Sequence, residues 1–162
     1  PRPVIAAVNG PALAGGCGLA TVCDLVLAAG ETARFGYTEV KIGFVPAIVL
    51  NFLIRRVGGV AARELVLTGQ VIDARRALEL SLINEVVPRE RLLERAREIA
   101  RSIAEETSGE AVAATKWLLN ELDGRSLRDG LALAVDTNVE SRTTAACQYG
   151  IQCFLNKEKP EW

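Results

Sequence analysis

Three closely spaced glycines, Gly15, Gly16 and Gly18, stand between a strand-like run and a helical-looking one in the segment ALAGGCGLATVCD. A glycine turn at such a junction leaves backbone N–H groups unpaired at the positive end of a helix dipole, which suits an anion. Two phosphate-binding patterns are not met. Thr21 stands where the third glycine of a dinucleotide fingerprint belongs, and no Lys-Ser or Lys-Thr pair follows. Two readings stay open: close packing of a helix on a strand, or a backbone donor for an oxyanion, which needs an N–H and room for the ligand. Further along, Glu39 is a carboxylate among the apolar residues Val40, Ile42, Phe44 and Val45. It is either a solvated loop residue or a proton carrier that these neighbours shield from water. The chain has no histidine. It therefore cannot build a Ser-His-Asp or Cys-His nucleophile system or a histidine metal site, and no metal is expected.

The elements that must position these groups follow from periodicity. Residues 4–8, VIAAV, read as a buried strand, followed by a turn at Asn9-Gly10-Pro11. Residues 19–23 look helical, 25–29 and 33–35 read as strands, and 36–46 as a loop or short helix. From Pro46 the period becomes helical: 47–57 stopped by Gly58-Gly59, 61–67 stopped by Gly69, and 74–80 capped by Asp73. A short strand, 83–87, ends at Pro88, and apolar groups at helical spacing run from Leu92 to Ile103. Helices are expected over 110–122 and, from a Ser126/Asp129 capping box, to about residue 146. Asp24 is expected to accept backbone N–H groups between helix and strand, and Trp117 to be core. The fold class is α/β at the front and all-α at the back, with no sequence repeat.

Composition sets the outer limits. At 162 residues, 49% apolar and 24% charged, the chain is too hydrophobic to be disordered. A net charge of −1 with no basic block argues against nucleic acid as a partner. No apolar run is long enough to span a bilayer and the opening residues lack a signal-peptide pattern, so no membrane association is expected. The four cysteines form no CxxC pair and read as small hydrophobes in a reducing, cytoplasmic setting. The absence of methionine suggests a fragment shortened at its N-terminus.

A resemblance adds to this reading. PRPVIAAVNGPALAGGCGLATVCDLVLAA, then ARFGYTEVKIGFVP, then RELVLTGQVIDARRALELSLINEVVP, and finally IQCFLNKEKP resemble, in order and spacing, the crotonase or enoyl-CoA hydratase/isomerase superfamily. The resemblance implies strand–strand–helix turns wound as a spiral over 1–90, then a helical oligomerisation region over 91–162 that builds a homotrimer or homohexamer. It places about 90–100 family residues before Pro1, a domain-sized complement. It implies an acyl-CoA substrate, with coenzyme A part of that substrate and no separate cofactor. Gly15 falls on the glycine whose N–H is one of two oxyanion-hole donors, and Glu39 on the second catalytic glutamate. Gly18 falls where two-carboxylate hydratases carry their first glutamate, which is a departure from the family pattern. Val45 and Pro46 would line the substrate's place, and Phe154 and Lys157 would reach a neighbouring subunit's CoA.

The implied chemistry is enolate chemistry. Charge develops on the thioester oxygen, and each backbone donor stabilises it by roughly 3 kcal/mol. Hydration of a 2-enoyl-CoA needs a base for water and an acid for the α-carbon, whereas moving a double bond needs one proton carrier. Enoyl-CoA hydratase is the leading expectation and Δ3,Δ2-enoyl-CoA isomerase the alternative. A non-catalytic CoA-binding or oligomerisation fragment is a third reading. The 162 residues alone are expected to be inactive, because the second donor belongs to the missing part.

Overall fold

A computed structural model describes residues 2–162, which divide into two compact units, Val4–Arg97 and a unit of Glu98–Trp162 with the first residues of the chain. The α/β unit begins with β1 (Ile5–Val8). A bend at Gly10 redirects the chain into β2 (Pro11–Leu13), and α1 (Gly15–Thr21) follows. The same order recurs with β3 (Leu25–Ala29), β4 (Arg34–Gly36), a 3₁₀ turn over Glu39–Ile42, and α2 (Ala47–Thr68). Then come β5 (Ile72–Asp73), α3 (Ala74–Glu79), β6 (Glu85–Val87), and α4 (Leu92–Glu106), within which the unit ends.

The first four strands alternate between two sheets. One sheet is parallel, in the order β1-β3-β6; the other pairs β2 with β4 in parallel and β4 with β5 antiparallel. This is a strand–strand–helix spiral. Its central strand β3 is apolar on both faces because it has neighbours on both edges and layers on both sides: Val26, Leu27, Ala28 and Ala29 are all buried. One core joins Val26, Ala28, Phe35, Tyr37, Leu53, Leu65, Ile72 and Ile83.

Local chemistry sets most boundaries. Gly58, at φ 74° and ψ 167°, breaks α2 into the two helical runs that the glycine pair predicts. The Asp73 carboxylate accepts the Arg76 N–H at 2.8 Å and starts α3. Asp24 accepts the Val4 N–H at 2.6 Å, the structural role expected of it. Arg56 carries a role that helical periodicity does not reveal. From α2 its guanidinium donates to the carbonyls of Leu82 (2.7 Å), Thr21 (3.1 Å) and Cys23 (2.7 Å), and to Asn84 Oδ1 (3.1 Å). It thereby satisfies the open end of α1 and ties it to the approach to β6.

Three expectations are corrected. The first helix covers Gly15–Thr21 rather than residues 19–23, so the Gly-rich segment itself opens it and Gly15 stands at its start. Pro11–Leu13 is a strand rather than the tail of a turn, short because the chain only crosses the second sheet there. The helix expected to reach about residue 146 stops at Arg142, since the Thr144 hydroxyl accepts the Cys147 N–H at 3.2 Å and begins a new one.

The second unit contains, among the described residues, only helices: the end of α4, α5 (Gly109–Leu122), α6 (Leu127–Arg142) and α7 (Ala145–Asn156). The Ser126 hydroxyl caps α6, accepting the Asp129 N–H at 3.2 Å. Trp117 is 42% exposed rather than core; with Ile151, Phe154 and Trp162 it lines an open groove of about 660 Å³.

Candidate active site

β2 and β4 run side by side and leave their sheet at the same end. Leu13 pairs with Gly36, and the Ala14 N–H donates to the Gly36 carbonyl at 2.8 Å, one further rung. Adjacent strands lie about 4.8 Å apart. Beyond this rung the first chain turns into α1 at Gly15, and the second continues through Tyr37 to Glu39. Two candidates far apart in sequence thus share the carboxyl end of a parallel strand pair, a common place for ligands in α/β folds.

Gly15 and Gly16 are exposed, and a Cβ built on either meets no atom within 4 Å. Packing does not require glycine at these positions, and both face open space. The helix's first hydrogen bond runs from the Gly18 N–H to the Ala14 carbonyl at 3.0 Å, leaving the N–H groups of its first turn without helical acceptors. The preceding residue holds this turn at φ 49° and ψ −125°, although it is alanine. Such a conformation costs a non-glycine residue on the order of 1–3 kcal/mol. Ala14→Gly is therefore expected to raise stability by about 1 kcal/mol, read from the denaturant midpoint at unchanged slope; a lowered midpoint would show that the turn is not strained.

Glu39 opens the 3₁₀ turn and is only 7% exposed; its Oε2 is buried without a hydrogen-bond partner. An uncompensated carboxylate oxygen is costly to bury and marks a place where a partner belongs. The apolar residues after it do not shield it as the sequence suggests. Ile42, Phe44 and Val45 are 84%, 65% and 63% exposed, since the tight turn directs them outward while the Glu39 end folds in. Pro46 is buried at the start of α2.

Gly18 differs from Gly15. It is buried, and a Cβ there would overlap Val49 Cγ1 and lie 3.3 Å from Val49 Cβ. Its glycine thus serves the close approach of α1 and α2, the packing alternative applied to one glycine of the three. Phe154, 81% exposed, and Lys157, exposed at φ 59°, lie at the end of α7 in the helical unit.

Beside Glu39 lies a buried polar group of three. Burial pushes the Cys17 thiol up from its ordinary range, and Glu39's charge adds to this. Burial also pushes the Tyr37 phenol up, so both are neutral near pH 7. Neither Tyr37 nor Thr21 is signalled by the sequence, because FGYTEV has no pattern that distinguishes its tyrosine from any core aromatic. Among the described residues no group of His, Cys, Asp and Glu could hold a metal ion, and no helix is long and apolar enough to cross a membrane.

A strand–strand–helix spiral with a glycine turn and a buried carboxylate at one strand-pair end defines a crotonase-like α/β fold. A crystal structure of Mycobacterium smegmatis enoyl-CoA hydratase superposes with a TM-score of 0.93 at 32% identity, covering 99% of this chain and 62% of that one. The enoyl-CoA hydratase/isomerase family model matches residues 1–162, and the chain belongs to that family. A Thermus thermophilus relative is 46% identical over 162 residues, covering 100% of this chain and 63% of its own length. The 2,3-dehydroadipyl-CoA hydratase of Escherichia coli K12 is 39% identical over 162 residues, covering 99% of this chain and 63% of that protein. The chain thus spans less than two-thirds of the length of these relatives.

Proposed function

We propose that the protein is an enoyl-CoA hydratase, adding water to a 2-enoyl-CoA. The observation that carries this reading is the unpartnered, buried Oε2 of Glu39 at the strand end that also opens the Gly15–Gly16 turn. In it the Gly15 N–H donates to the thioester oxygen as enolate charge develops, and Glu39 moves the proton. Val45 and Pro46 follow Glu39 closely enough to bound the acyl group, and the opening at Gly15 and Gly16 admits the thioester. Gly18, buried against Val49, would border that space only through the backbone of α1. Coenzyme A arrives as part of the substrate and no further cofactor is needed.

One observation favours a second reading. Val49 fills the space beside Gly18, leaving one carboxylate, and one proton carrier suffices for Δ3,Δ2-enoyl-CoA isomerisation. The helical unit would serve as the oligomerisation region of a homotrimer or homohexamer. In support, Leu127, Leu131, Val135 and Val139 form an i, i+4 stripe on α6, each at least 57% exposed. Phe154 and Lys157 would there reach a neighbouring subunit's CoA. Four free cysteines suit a reducing compartment such as the cytoplasm.

The test is product analysis with a 2-enoyl-CoA and a 3-enoyl-CoA, with the 162-residue chain alone assayed beside the full-length protein. A 3-hydroxyacyl-CoA product supports the hydratase, and a shifted double bond without hydration supports the isomerase. Binding of acyl-CoA with no turnover by the full-length protein would leave a CoA-binding module. The short chain is expected to be inactive for want of the family's second oxyanion donor.

A further inference from the structure

The two proposed catalytic groups reach the site on different elements, Gly15 on α1 and Glu39 beyond β4. The Leu13–Gly36 pairing and the Ala14–Gly36 rung fix the two strand ends, and the elements that follow them are joined again by the buried group of Cys17, Thr21 and Tyr37. Cys17 and Tyr37 are fully buried and Thr21 is 5% exposed. The Tyr37 and Thr21 hydroxyls are hydrogen-bonded, and the Thr21 hydroxyl also bonds the Cys17 carbonyl at 2.8 Å.

The direction of these bonds follows from counting protons. A carbonyl only accepts, so the single Thr21 hydroxyl proton goes to Cys17. Tyr37 must then donate its own proton to Thr21 Oγ1. Cys17 and Thr21 are four residues apart on α1 and share a face. That face is thus tied to the residue immediately after β4. Gly15 is two residues before Cys17, and Glu39 two residues after Tyr37. The hydroxyl link is therefore a second tie between the two segments, beside the Ala14–Gly36 main-chain rung.

We propose that Tyr37 and Thr21 are positioning residues whose hydroxyl pair holds the Gly15 end of α1 in register with Glu39. The proposal rests on the enoyl-CoA reading of the site. It does not ask the pair to touch substrate. Their effect should appear in turnover, because a misplacement of about 1 Å between reacting groups can cost on the order of 10²-fold.

Tyr37→Phe keeps the ring and removes only the hydroxyl; Thr21→Val keeps the shape and removes the other. In the full-length protein each is expected to lower kcat roughly 10- to 100-fold with KM within about twofold. The double variant should be no slower than the slower single one, since one link is broken either way. Thr21→Ser, which restores the hydroxyl, should return kcat to near the parent value. Thermal unfolding of each variant separates loss of fold from loss of register, and if Tyr37→Phe does not fold, the Thr21→Val and Thr21→Ser pair carries the test. Unchanged kcat in a folded variant overturns the proposal, as do additive losses, or a Thr21→Ser variant as slow as Thr21→Val. A parent protein that turns over neither a 2-enoyl-CoA nor a 3-enoyl-CoA overturns the functional reading itself, and with it the positioning role; an active parent with unaffected variants overturns the positioning role alone.

Discussion

Glu39→Gln in the full-length protein is expected to lower kcat by about 10²–10⁴ while leaving acyl-CoA affinity nearly unchanged. The amide fills the same volume in the same turn but cannot carry a proton. Fold and activity should separate in this variant. Glu39 is buried with one oxygen unpartnered, so the native protein bears a desolvation cost that a neutral amide reduces. The melting temperature should therefore hold or rise as turnover falls, the pattern of a residue kept for chemistry at the expense of stability. The measurements are steady-state kinetics with a 2-enoyl-CoA and a 3-enoyl-CoA, acyl-CoA binding by calorimetry, and thermal unfolding. Near-normal turnover would move the proton transfer to another group; a large loss of both stability and binding would make Glu39 a structural residue.

The sequence carried the architecture further than it carried the site. Apolar runs and glycine stops located β3, both halves of α2, α3 and α5, because those signals are local: VLAA must be buried, Gly58 cannot continue a helix, and Asp73 caps α3. The short strands β2 and β5 have no local signal, since Pro11 reads with the Asn9-Gly10 turn and Asp73 as a helix cap, and their pairing with β4 is a long-range event. The resemblance picked out Gly15 and Glu39, and the geometry supplies a physical reason that they can work together, a shared strand end. What remained illegible was burial. Glu39 looked shielded by the apolar residues after it, yet those face outward, and the turn itself conceals the carboxylate. The glycines looked alike in sequence and prove different in kind, two facing open space and one pressed against Val49. Tyr37 and Thr21 gave no signal, since a hydroxyl pair formed across 16 residues cannot be read from either neighbourhood.

That difference among the glycines produces the second large expected effect. By the family resemblance Gly18 falls where two-carboxylate hydratases would carry a glutamate, and the natural test is to place one there. Its backbone does not stand in the way, since Gly18 has none of the positive φ values that disfavour side chains. Val49 does, because a Cβ on residue 18 would overlap its Cγ1. Gly18→Ala alone should therefore cost about 1–3 kcal/mol of stability by overpacking. In a Val49→Ala background the nearest atom would be the residue 49 Cβ at 3.3 Å, so the same substitution should cost clearly less there, a coupling that a double-mutant cycle reads directly. The functional counterpart is Gly18→Glu. On its own it should give a poorly folded protein with no gain in hydration. Combined with Val49→Ala, it would add a second carboxylate at the α1 face, and the ratio of hydration to double-bond migration should rise by about 10-fold or more, within the usual range for an added acid–base group. If the single and double variants fold equally well, Val49 is not the obstacle. If the double variant folds and the product ratio stays at the parent value, residue 18 does not face the reacting carbons, and Val49 beside it has no bearing on which reaction the site performs.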